Sequence, residues 1–345
     1  MTRKKQSTTM WDVADLAGVS QATVSLVLNN ADTGRVTDET RERVMDAVRE
    51  LGYRTNAFAK TLRSGESEMV GFISDEVASA PFSGKLLKGA QALAWETGHV
   101  ILSIDTFNNA QLEAAAIDMM LSYRVRGVVY ASMYHRVIDL PEALSAVPTV
   151  VVNARDRSGT APSVFPDEEV GGYAATRQLV DAGHTRIAMI NIQAHDSELP
   201  AGIGRLAGYR RALIEAGLDA STNLVRFGEG DVADGLRLTL ELFGESKPPT
   251  AIFCGNDRTA WGAYQALSSL GLRVPQDCSI VGFDNQEILA PNLQPGLTTM
   301  ELPFERMARR AVEILLDEGP LVYSESPIEC SLIPRGSVAK AKVPV

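Results

Sequence analysis

Residues 11–29 read WDVADLAGVSQATVSLVLN, and their apolar positions repeat at the three- and four-residue spacing of helices. At the start of this stretch, Thr9 and Asp12 form a variant capping box, which predicts that a helix begins at Thr9. Gly18 ends this helix, and Ser20 caps a second one. The turn between the two helices has four residues and contains a glycine, which is the spacing of a helix-turn-helix.

A third helix is predicted to complete a small helical head. It begins at Thr37, carries Asp38 and Glu39 in its first turn, where they suit the helix dipole, and ends at Gly52. Three helices with apolar stripes could form an ordinary bundle with no further role, since such stripes usually make a core. The exposed side of the second helix argues for a further role.

The second helix presents short hydrogen-bonding side chains where a solvated helix would normally carry Glu and Lys. Such groups can reach phosphates and base edges in the major groove of DNA. Residues 1–63 also hold ten basic and eight acidic side chains, a net charge of +2, whereas the remainder carries −12. A basic head favours nucleic-acid binding, because cations near phosphates release condensed counterions. The candidate contacts on this helix are Ser20, Gln21, Ala22, Thr23, Ser25 and Asn29.

The stretch quoted above closely resembles the LacI/GalR family of repressors over most of its length. The resemblance implies that residues 1–55 are an all-α helix-turn-helix head that binds DNA, with further contacts from Trp11, Arg35 and Tyr53. Leu26 departs from the family pattern, because many members have an arginine there that contacts guanine. A leucine can meet only a thymine methyl group or other apolar base surface, so the base opposite Leu26 is left open.

The resemblance extends to residues 56–68 and implies that they form a hinge helix and linker. In the family, two hinge helices order on the operator and each pushes a leucine between base steps in the minor groove. Leu62 stands at that position, and such a wedge costs a few kcal/mol of unstacking, which a kinked duplex offsets. Packing of Leu62 against the body is the alternative. Asn56, Ala59 and Lys60 are the other candidate contacts of the hinge, Lys60 with phosphate.

Beyond the hinge, the sequence alternates short β-rich apolar runs with amphipathic helices, in two series. This alternation predicts parallel sheets with helices on both faces, and therefore two Rossmann-like lobes with a cleft between them. The predicted strands are Met69–Ser74, Val100–Asp105, Gly127–Ala131, Thr149–Asn153, Arg186–Asn191, Leu224–Gly228, Ala251–Asn256 and Ser279–Asp284. The predicted helices are Phe82–Thr97, Gln111–Ser122, Glu169–Asp181, Gly204–Ala216, Asp231–Phe243 and Arg258–Leu270.

Residues 69–345 also resemble the type I periplasmic-binding-protein-like core of the same family, in motifs such as Ala182-Gly183-His184 and Gly282-Phe283-Asp284. In that fold the chain crosses between the lobes three times. We place the crossings near Asp167, Pro291–Pro295 and Ser324–Ile328. The first lobe is then expected to comprise residues 69–167 and 296–325, and the second lobe residues 168–294 and 327–340.

Ligands collect at the carboxyl ends of the strands in open parallel sheets. The resemblance implies that polar residues at those ends contact a small-molecule effector. Arg205 can grip hydroxyls or a carboxylate with its planar fork, Asp284 can accept hydrogen bonds, and Asn256 can donate and accept. Phe82 and Phe304 are expected to form an apolar wall, although a place in the core is nearly as plausible for each. The candidate effector contacts are Asp75, Phe82, Asn153, Arg205, Asn256, Asp284 and Phe304.

Two positions distinguish this site from its relatives. Val232 stands where relatives often carry an aromatic platform, and Asn153 stands where some sugar-binding members have aspartate. Polar groups beside an apolar wall favour a sugar or a related polyol, while a purine-like ligand stays open.

No pattern indicates an enzyme, a metal site or a cofactor. The sequence has no Gly-rich Lys-Ser/Thr phosphate loop, no His-Glu-x-x-His pair and no Gly-x-Ser-x-Gly elbow, and its four histidines and three cysteines lack metal-ligand spacing. Few cysteines, no signal peptide and no long apolar run predict a cytoplasmic protein without a membrane span. A transport-type sugar-binding protein without a DNA role is the alternative function, and an α/β enzyme is a weaker one.

Together these features predict a homodimeric repressor that binds a palindromic operator. The effector would move the lobes and thereby change the spacing of the two hinge segments and heads. A coupling of about 1–3 kcal/mol would change operator affinity roughly 5–150-fold. Induction and corepression both stay open, whereas the lack of a leucine-heptad tail after Pro334 favours a dimer over a tetramer.

Overall fold

The computed structural model describes residues 8–28, 36–53, 67–77, 84–192, 198–221 and 224–342. The chain divides into two compact units, Met1–Ser67 and Glu68–Val345. We call the described part of the first unit the head and that of the second unit the body, and each is described by itself.

Local side-chain caps begin the helices of the head. The predicted capping box between Thr9 and Asp12 is confirmed, and the Ser20 hydroxyl accepts a hydrogen bond from the Thr23 amide at 3.1 Å. Gly18 ends the first helix with a φ of 64°, a left-handed conformation that glycine adopts without a Cβ penalty. The helices are α1 Met10–Ala17, α2 Gln21–Leu28 and α3 Asp38–Leu51.

A small core of valine and alanine side chains joins the three helices. Leu16, an apolar residue of α1, lies outside this core and is 47% exposed. The inward positions of the two-turn helix α1 are occupied by smaller neighbours, which bring the helices close together. The buried residues of this core are Val13, Ala14, Ala17, Val24, Val27, Val44 and Ala47.

The first lobe of the body is built on six strands, each running parallel to its neighbours. They are β1 Met69–Ser74, β2 Val100–Asp105, β3 Val128–Ile138, β4 Thr149–Asp156, β5 Ser163–Pro166 and β11 Glu325–Ile328. Their order in the sheet is β11-β5-β4-β3-β1-β2. The lobe's helices are α4 Gly84–Glu96, α5 Ala110–Ser122 and α10 Phe304–Leu316, with a 3₁₀ turn at Glu142–Ala146.

The second lobe repeats this plan with one antiparallel edge. Its strands are β6 Ile187–Ile192, β7 Val225–Gly228, β8 Ala251–Cys254, β9 Ser279–Asp284, β10 Thr298–Glu301 and β12 Ser331–Ile333. Their order is β12-β10-β9-β8-β6-β7, and only the β10–β12 pair is antiparallel. Its helices are α6 Glu168–Asp181, α7 Pro200–Glu215, α8 Val232–Phe243 and α9 Asp257–Ser269.

Two of the three crossings between the lobes lie later in the chain than the sequence predicted. Residues 291–295 do not lead back to the first lobe, because β10 pairs in parallel with β9 and keeps the chain in the second sheet. The crossing lies between Glu301 and Phe304, since α10 packs into the core of the first lobe. The final crossing follows Ile328, because all of β11 pairs with β5. Residues 298–301 therefore belong to the second lobe, and β11 belongs to the first.

Two glycines allow α6 and α7 to pack backbone against backbone. A Cβ on Gly172 would lie 2.4 Å from the carbonyl oxygen of Arg205, and a Cβ on Gly208 would lie 2.1 Å from that of Glu169. Contacts this close exclude any side chain larger than hydrogen. They set Arg205 on α7 directly beside Gly172, one turn after Glu168 on α6.

Candidate functional site

The exposed surface of α2 carries the polar groups that the sequence selected. Ser20, Gln21 and Ala22 are exposed, and Thr23 and Ser25 are half-buried. The Ser20 hydroxyl lies 2.9 Å from that of Thr23, so these two groups are held by their own helix turn. None of the eight residues of α2 is acidic, so this surface would not repel a phosphate backbone.

Trp11 and Tyr53 lie at the ends of the described head. Trp11 on α1 is 61% exposed, which is unusual for so large an apolar side chain. Tyr53 is half-buried against the valine and alanine core. The remaining predicted DNA contacts, Asn29, Arg35, Asn56, Ala59, Lys60 and Leu62, lie outside the described residues, as does Phe82 of the predicted effector site.

The cleft of the body brings five of the predicted effector residues together. Asn153, Arg205, Asn256, Asp284 and Phe304 all line a cavity of about 50 Å³ between the two lobes. Asn153 and Asp284 adopt positive φ angles of 54° and 110°. Strained backbone of this kind is common at ligand sites, where the surroundings hold a side chain in an uncommon orientation.

Arg205 is the buried centre of this cavity. Its guanidinium donates from Nε to Glu168 Oε2 at 2.8 Å and from Nη1 to the carbonyl oxygen of Gly255 at 2.5 Å. It also lies 3.8 Å from the Asp284 carboxylate and 3.8 Å over the ring of Phe283. Burial alone would raise the pKa of Glu168, but Arg205 and His135 outweigh it and hold that pKa below its ordinary value.

Asp284 differs from Glu168 in the balance of its surroundings. Burial raises the pKa of Asp284 to about 6, only partly opposed by Arg205 and by the Gln286 amide, which donates to its carboxylate at 3.1 Å. A carboxyl group whose pKa is close to neutral pH can donate a hydrogen bond to a ligand when it is protonated and accept one when it is ionised. Buried Asp257 of α9 interacts electrostatically with Asp284, and its carboxylate accepts a hydrogen bond from the Thr299 hydroxyl at 2.6 Å.

Asn256 and Asp75 have structural partners that limit what they can offer a ligand. Asn256 is the N-cap of α9, and its amide nitrogen donates to the carbonyl oxygen of Gly230 at 2.8 Å. Asp75 is not among the residues that line the cavity. Its carboxylate binds Ser132, Met133 and Arg136 at 2.8–3.0 Å, which makes it a positioning residue for that segment of β3.

A larger chamber of about 390 Å³ adjoins the polar cavity. The two share Arg258, Asp284, Gln286 and Phe304 as lining residues. Val232, which replaces an aromatic platform, lines this chamber together with Trp261. An aromatic side chain is therefore present near the cleft, but it comes from α9 and not from the position that the family pattern indicated.

Sequence patterns missed His135, Glu168, Arg258 and Gln286 of the cavity lining. Glu168 stands in a run of three acidic residues at a helix start, where exposed carboxylates are ordinary, so its burial left no signal. His135 was one of four histidines without a motif.

Other kinds of site find no support in the part of the chain that the structure describes. No group of three or more His, Cys, Asp or Glu residues there could hold a metal ion. In the same part of the chain, every helix falls short of the length and apolar character that a membrane crossing needs. Cys254, Cys278 and Cys330 are buried free thiols, and burial raises the pKa of each.

Comparison with known proteins identifies both units. Bacterial regulatory proteins of the lacI family match residues 9–56, and a periplasmic binding protein-like domain matches residues 176–338. The HTH-type transcriptional regulator GalR of Escherichia coli (strain K12) is 35% identical over 337 residues, which cover 96% of each chain. The HTH-type transcriptional repressor PurR of Erwinia tasmaniensis is also 35% identical, over 96% of this chain and 97% of that one.

A solved structure shows the same architecture over nearly the whole chain. The lac repressor dimer bound to operator and the anti-inducer ONPF is 27% identical, with a TM-score of 0.79, over 97% of this chain and all of that one. The chain therefore belongs to the LacI family of bacterial regulatory proteins. It is a DNA-binding transcriptional regulator with an effector-binding core, and the predicted fold class is confirmed. Its relatives are regulators and not enzymes, in agreement with the sequence interpretation.

Proposed function

We propose that this protein is a cytoplasmic, homodimeric repressor whose affinity for a palindromic operator is set by a sugar-type effector in the cleft of the body. The observation that carries the proposal is the cavity around Arg205, where fixed donors and acceptors converge beside Phe304. Hydroxyl groups donate and accept hydrogen bonds, so a polyol can satisfy such a mixed set.

The size of the cavity supports coupling between the effector and the lobes. About 50 Å³ is far below the roughly 300–1,000 Å³ of ordinary ligand pockets, whereas the adjoining chamber falls within that range. A sugar that reaches Arg205 must therefore enlarge the space between the lobes. A ligand that binds one arrangement of the lobes more tightly shifts the population of molecules toward that arrangement. Allosteric control of operator binding requires such a difference in affinity.

Exposed apolar side chains on the first lobe support a dimer. Trp95 on α4 is 78% exposed, Val100 on the edge strand β2 is 52% exposed, and Leu112 and Met119 lie on one side of α5 at 39% and 44% exposure. Exposed large apolar side chains of this kind support an interaction surface on this lobe. Sedimentation at micromolar concentration should give a dimer, and Trp95→Glu should shift it toward monomer.

Calorimetry of the full chain tests the effector class. D-glucose, D-galactose and cellobiose are titrated beside hypoxanthine and guanine, with Arg205→Lys as the variant that keeps the charge but loses the planar fork. We expect at least one sugar to bind the wild type and to bind Arg205→Lys at least tenfold more weakly. If a nucleobase binds and none of the sugars does, the sugar assignment is wrong. Operator binding is tested separately, by selecting the duplexes that the protein prefers from a random pool, and a preferred palindrome would still support a repressor.

A further inference from the structure

Strand β3 carries an insertion that points into the cleft. Ala131 pairs with Val152 and Arg136 pairs with Ala154, so residues 132–135 of β3 lie opposite the single residue Asn153 of β4. Three extra residues therefore bulge from the strand before its last three residues resume the pairing with β4. Bulges of this kind commonly re-aim a side chain at a functional site.

The bulge is held from both sides by buried polar groups. Asn153 Nδ2 donates to the carbonyl oxygens of Ser132 and Met133 at 2.9 and 3.0 Å. The Asp75 carboxylate accepts from the Ser132 hydroxyl, the Met133 amide and the Arg136 guanidinium. A segment fixed by this many bonds presents its last residue, His135, in a defined position.

His135 is buried but incompletely bonded. The residue is 4% exposed, and its ring stacks on Phe165 with centroids 5.0 Å apart and planes at 17°. Nδ1 lies 3.4 Å from Glu168 Oε1, a long hydrogen bond. Nε2 is buried without a hydrogen-bond partner among the described residues, and His135 lines the polar cavity. A buried polar atom without a partner is costly, so it calls for a group that this structure does not contain.

The charged groups around the ring fix which nitrogen carries the proton. Glu168 faces it from α6, and the Arg155 guanidinium of β4 lies over the Phe165 ring, 4.1 Å from its centre. Arg205 and Asp284 complete the set beyond Glu168. An ionised carboxylate can only accept, so Nδ1 must donate to Glu168. In the neutral ring, Nε2 is then an acceptor facing the cavity.

We infer that His135 contacts the effector directly, with Nε2 accepting a hydrogen bond from a ligand hydroxyl, and that it links the ligand through Glu168 to Arg205. This inference rests on the proposed function, because it takes a hydroxylated small molecule as the occupant of the cleft. It adds a specificity-determining residue from the first lobe to a site otherwise centred on the second. Ligands that present only acceptors at this point would be rejected.

Two substitutions separate contact with the ligand from support of Glu168. His135→Asn places an amide near the position of Nδ1 and removes the group at Nε2, whereas His135→Gln reaches toward the position of Nε2 and loses the link to Glu168. Calorimetry uses whichever of D-glucose, D-galactose and cellobiose binds the wild type. We expect His135→Asn to bind at least tenfold more weakly and His135→Gln to stay within about threefold, with sugar-free operator binding unchanged in both.

The reverse order of the two variants, or wild-type affinity in both, would overturn the inference. Selective ¹⁵N-histidine NMR of the full chain, with the His135 signal assigned by its loss in His135→Asn, supplies a second readout. We expect Nδ1 to be protonated and Nε2 to be unprotonated, and we expect the Nε2 resonance to shift when the sugar is added. If both variants lose affinity, a shift of this resonance supports direct contact between His135 and the sugar, and no shift contradicts it. A proton on Nε2 would overturn the inference. If no sugar binds the wild type, the sugar proposal fails, and the tautomer alone decides the role of His135.

Discussion

The head and the cleft hold their polar side chains in opposite ways. In the head, the fixed pairs are three residues apart, as between Thr9 and Asp12 or Ser20 and Thr23, and they lie at the surface. In the cleft, Glu168 binds Arg205 across 37 positions of sequence, and both are buried. A contact side chain of the head can therefore be replaced with little effect on the fold, whereas breaking the buried Glu168–Arg205 pair of the cleft lowers stability.

Among the substitutions that test this comparison of head and cleft, Glu168→Gln should cause the largest loss in the free energy of unfolding. Glu168→Gln leaves the Arg205 guanidinium buried without its carboxylate, and breaking a buried ion pair in this way costs about 3–5 kcal/mol. We expect urea denaturation of the full chain, followed by circular dichroism, to show a loss of this size in the main transition.

The adjacent residue provides the matched control. Glu169 pairs with Arg211 at 2.6 Å, but their side chains are 49% and 40% exposed. Exposed pairs contribute about 0–1 kcal/mol, so Glu169→Gln should leave the main transition nearly unchanged. Equal effects of the two substitutions would contradict a buried centre at Arg205.

Asp284→Asn should give the second-largest change in the free energy of unfolding, and this change should be a gain in stability and not a loss. Because its folded pKa is raised to about 6 from 3.8, the folded state binds this proton more tightly than the unfolded state, and stability falls as pH rises from about 4 to 6. Asp284→Asn removes this penalty. At pH 7 it should stabilise the protein by up to about 3 kcal/mol, the equivalent of two pKa units, and below pH 4 the gain should vanish. Melting curves across this range measure it.

Asp277 supplies the control for the direction of this effect. Lys342 and the Arg273 amide hold the pKa of Asp277 at about 2, so its ionised form stabilises the folded state above pH 4. That stability is lost as pH falls toward 2. Asp277→Asn should therefore lower the melting temperature at neutral pH, and a gain there would contradict the assigned sign.

A cavity in the small core of the head should affect DNA binding alone. Val44→Ala removes two methyl groups from a fully buried position, at a cost of about 2 kcal/mol. In a unit this small, the loss should unfold a substantial fraction of heads and weaken operator binding in fluorescence anisotropy. The denaturation transition of the body should not move. A shift in both would mean that the two units do not fold independently.

A surface change on α2 should have the smallest effect. Gln21 is exposed, so Gln21→Ala should leave the melting curve unchanged while weakening operator binding by about tenfold, the effect of losing one good base contact. Glu50→Gln, an exposed change on α3, is the control and should stay within about threefold. Equal binding of Gln21→Ala and wild type would remove α2 from the DNA interface.

The same contrast explains what sequence could predict. Helix ends in the head follow from caps that lie within one turn, so Thr9, Ser20 and Gly18 could be assigned from spacing alone. In the body, strands such as Ser279–Asp284 were predicted to the residue, because their apolar runs are continuous. The side chains at their carboxyl ends were also found, since parallel sheets collect polar groups there.

What sequence could not predict depends on contacts between distant residues. The crossing near residues 291–295 was placed wrongly because prolines mark a turn without saying which sheet the chain rejoins. Only the pairing of Thr298 with Val281 decides that question. Likewise, the burial of Glu168 follows from the close approach of α6 and α7 at Gly172 and Gly208, which no local pattern of charges reveals.

One titration tests the central proposal that a sugar bound in the cleft of the body controls operator binding by the head. Operator affinity is measured by fluorescence anisotropy, with and without the sugar found by calorimetry, for wild type, Gln21→Ala and Arg205→Lys. We expect a sugar-dependent change of roughly 5–150-fold in wild type. Gln21→Ala should bind the operator more weakly, but sugar should change its affinity by the same factor as in wild type. Arg205→Lys should bind the operator as tightly as wild type without sugar, and added sugar should no longer change its affinity. An operator affinity that saturating sugar leaves unchanged in wild type would contradict the account.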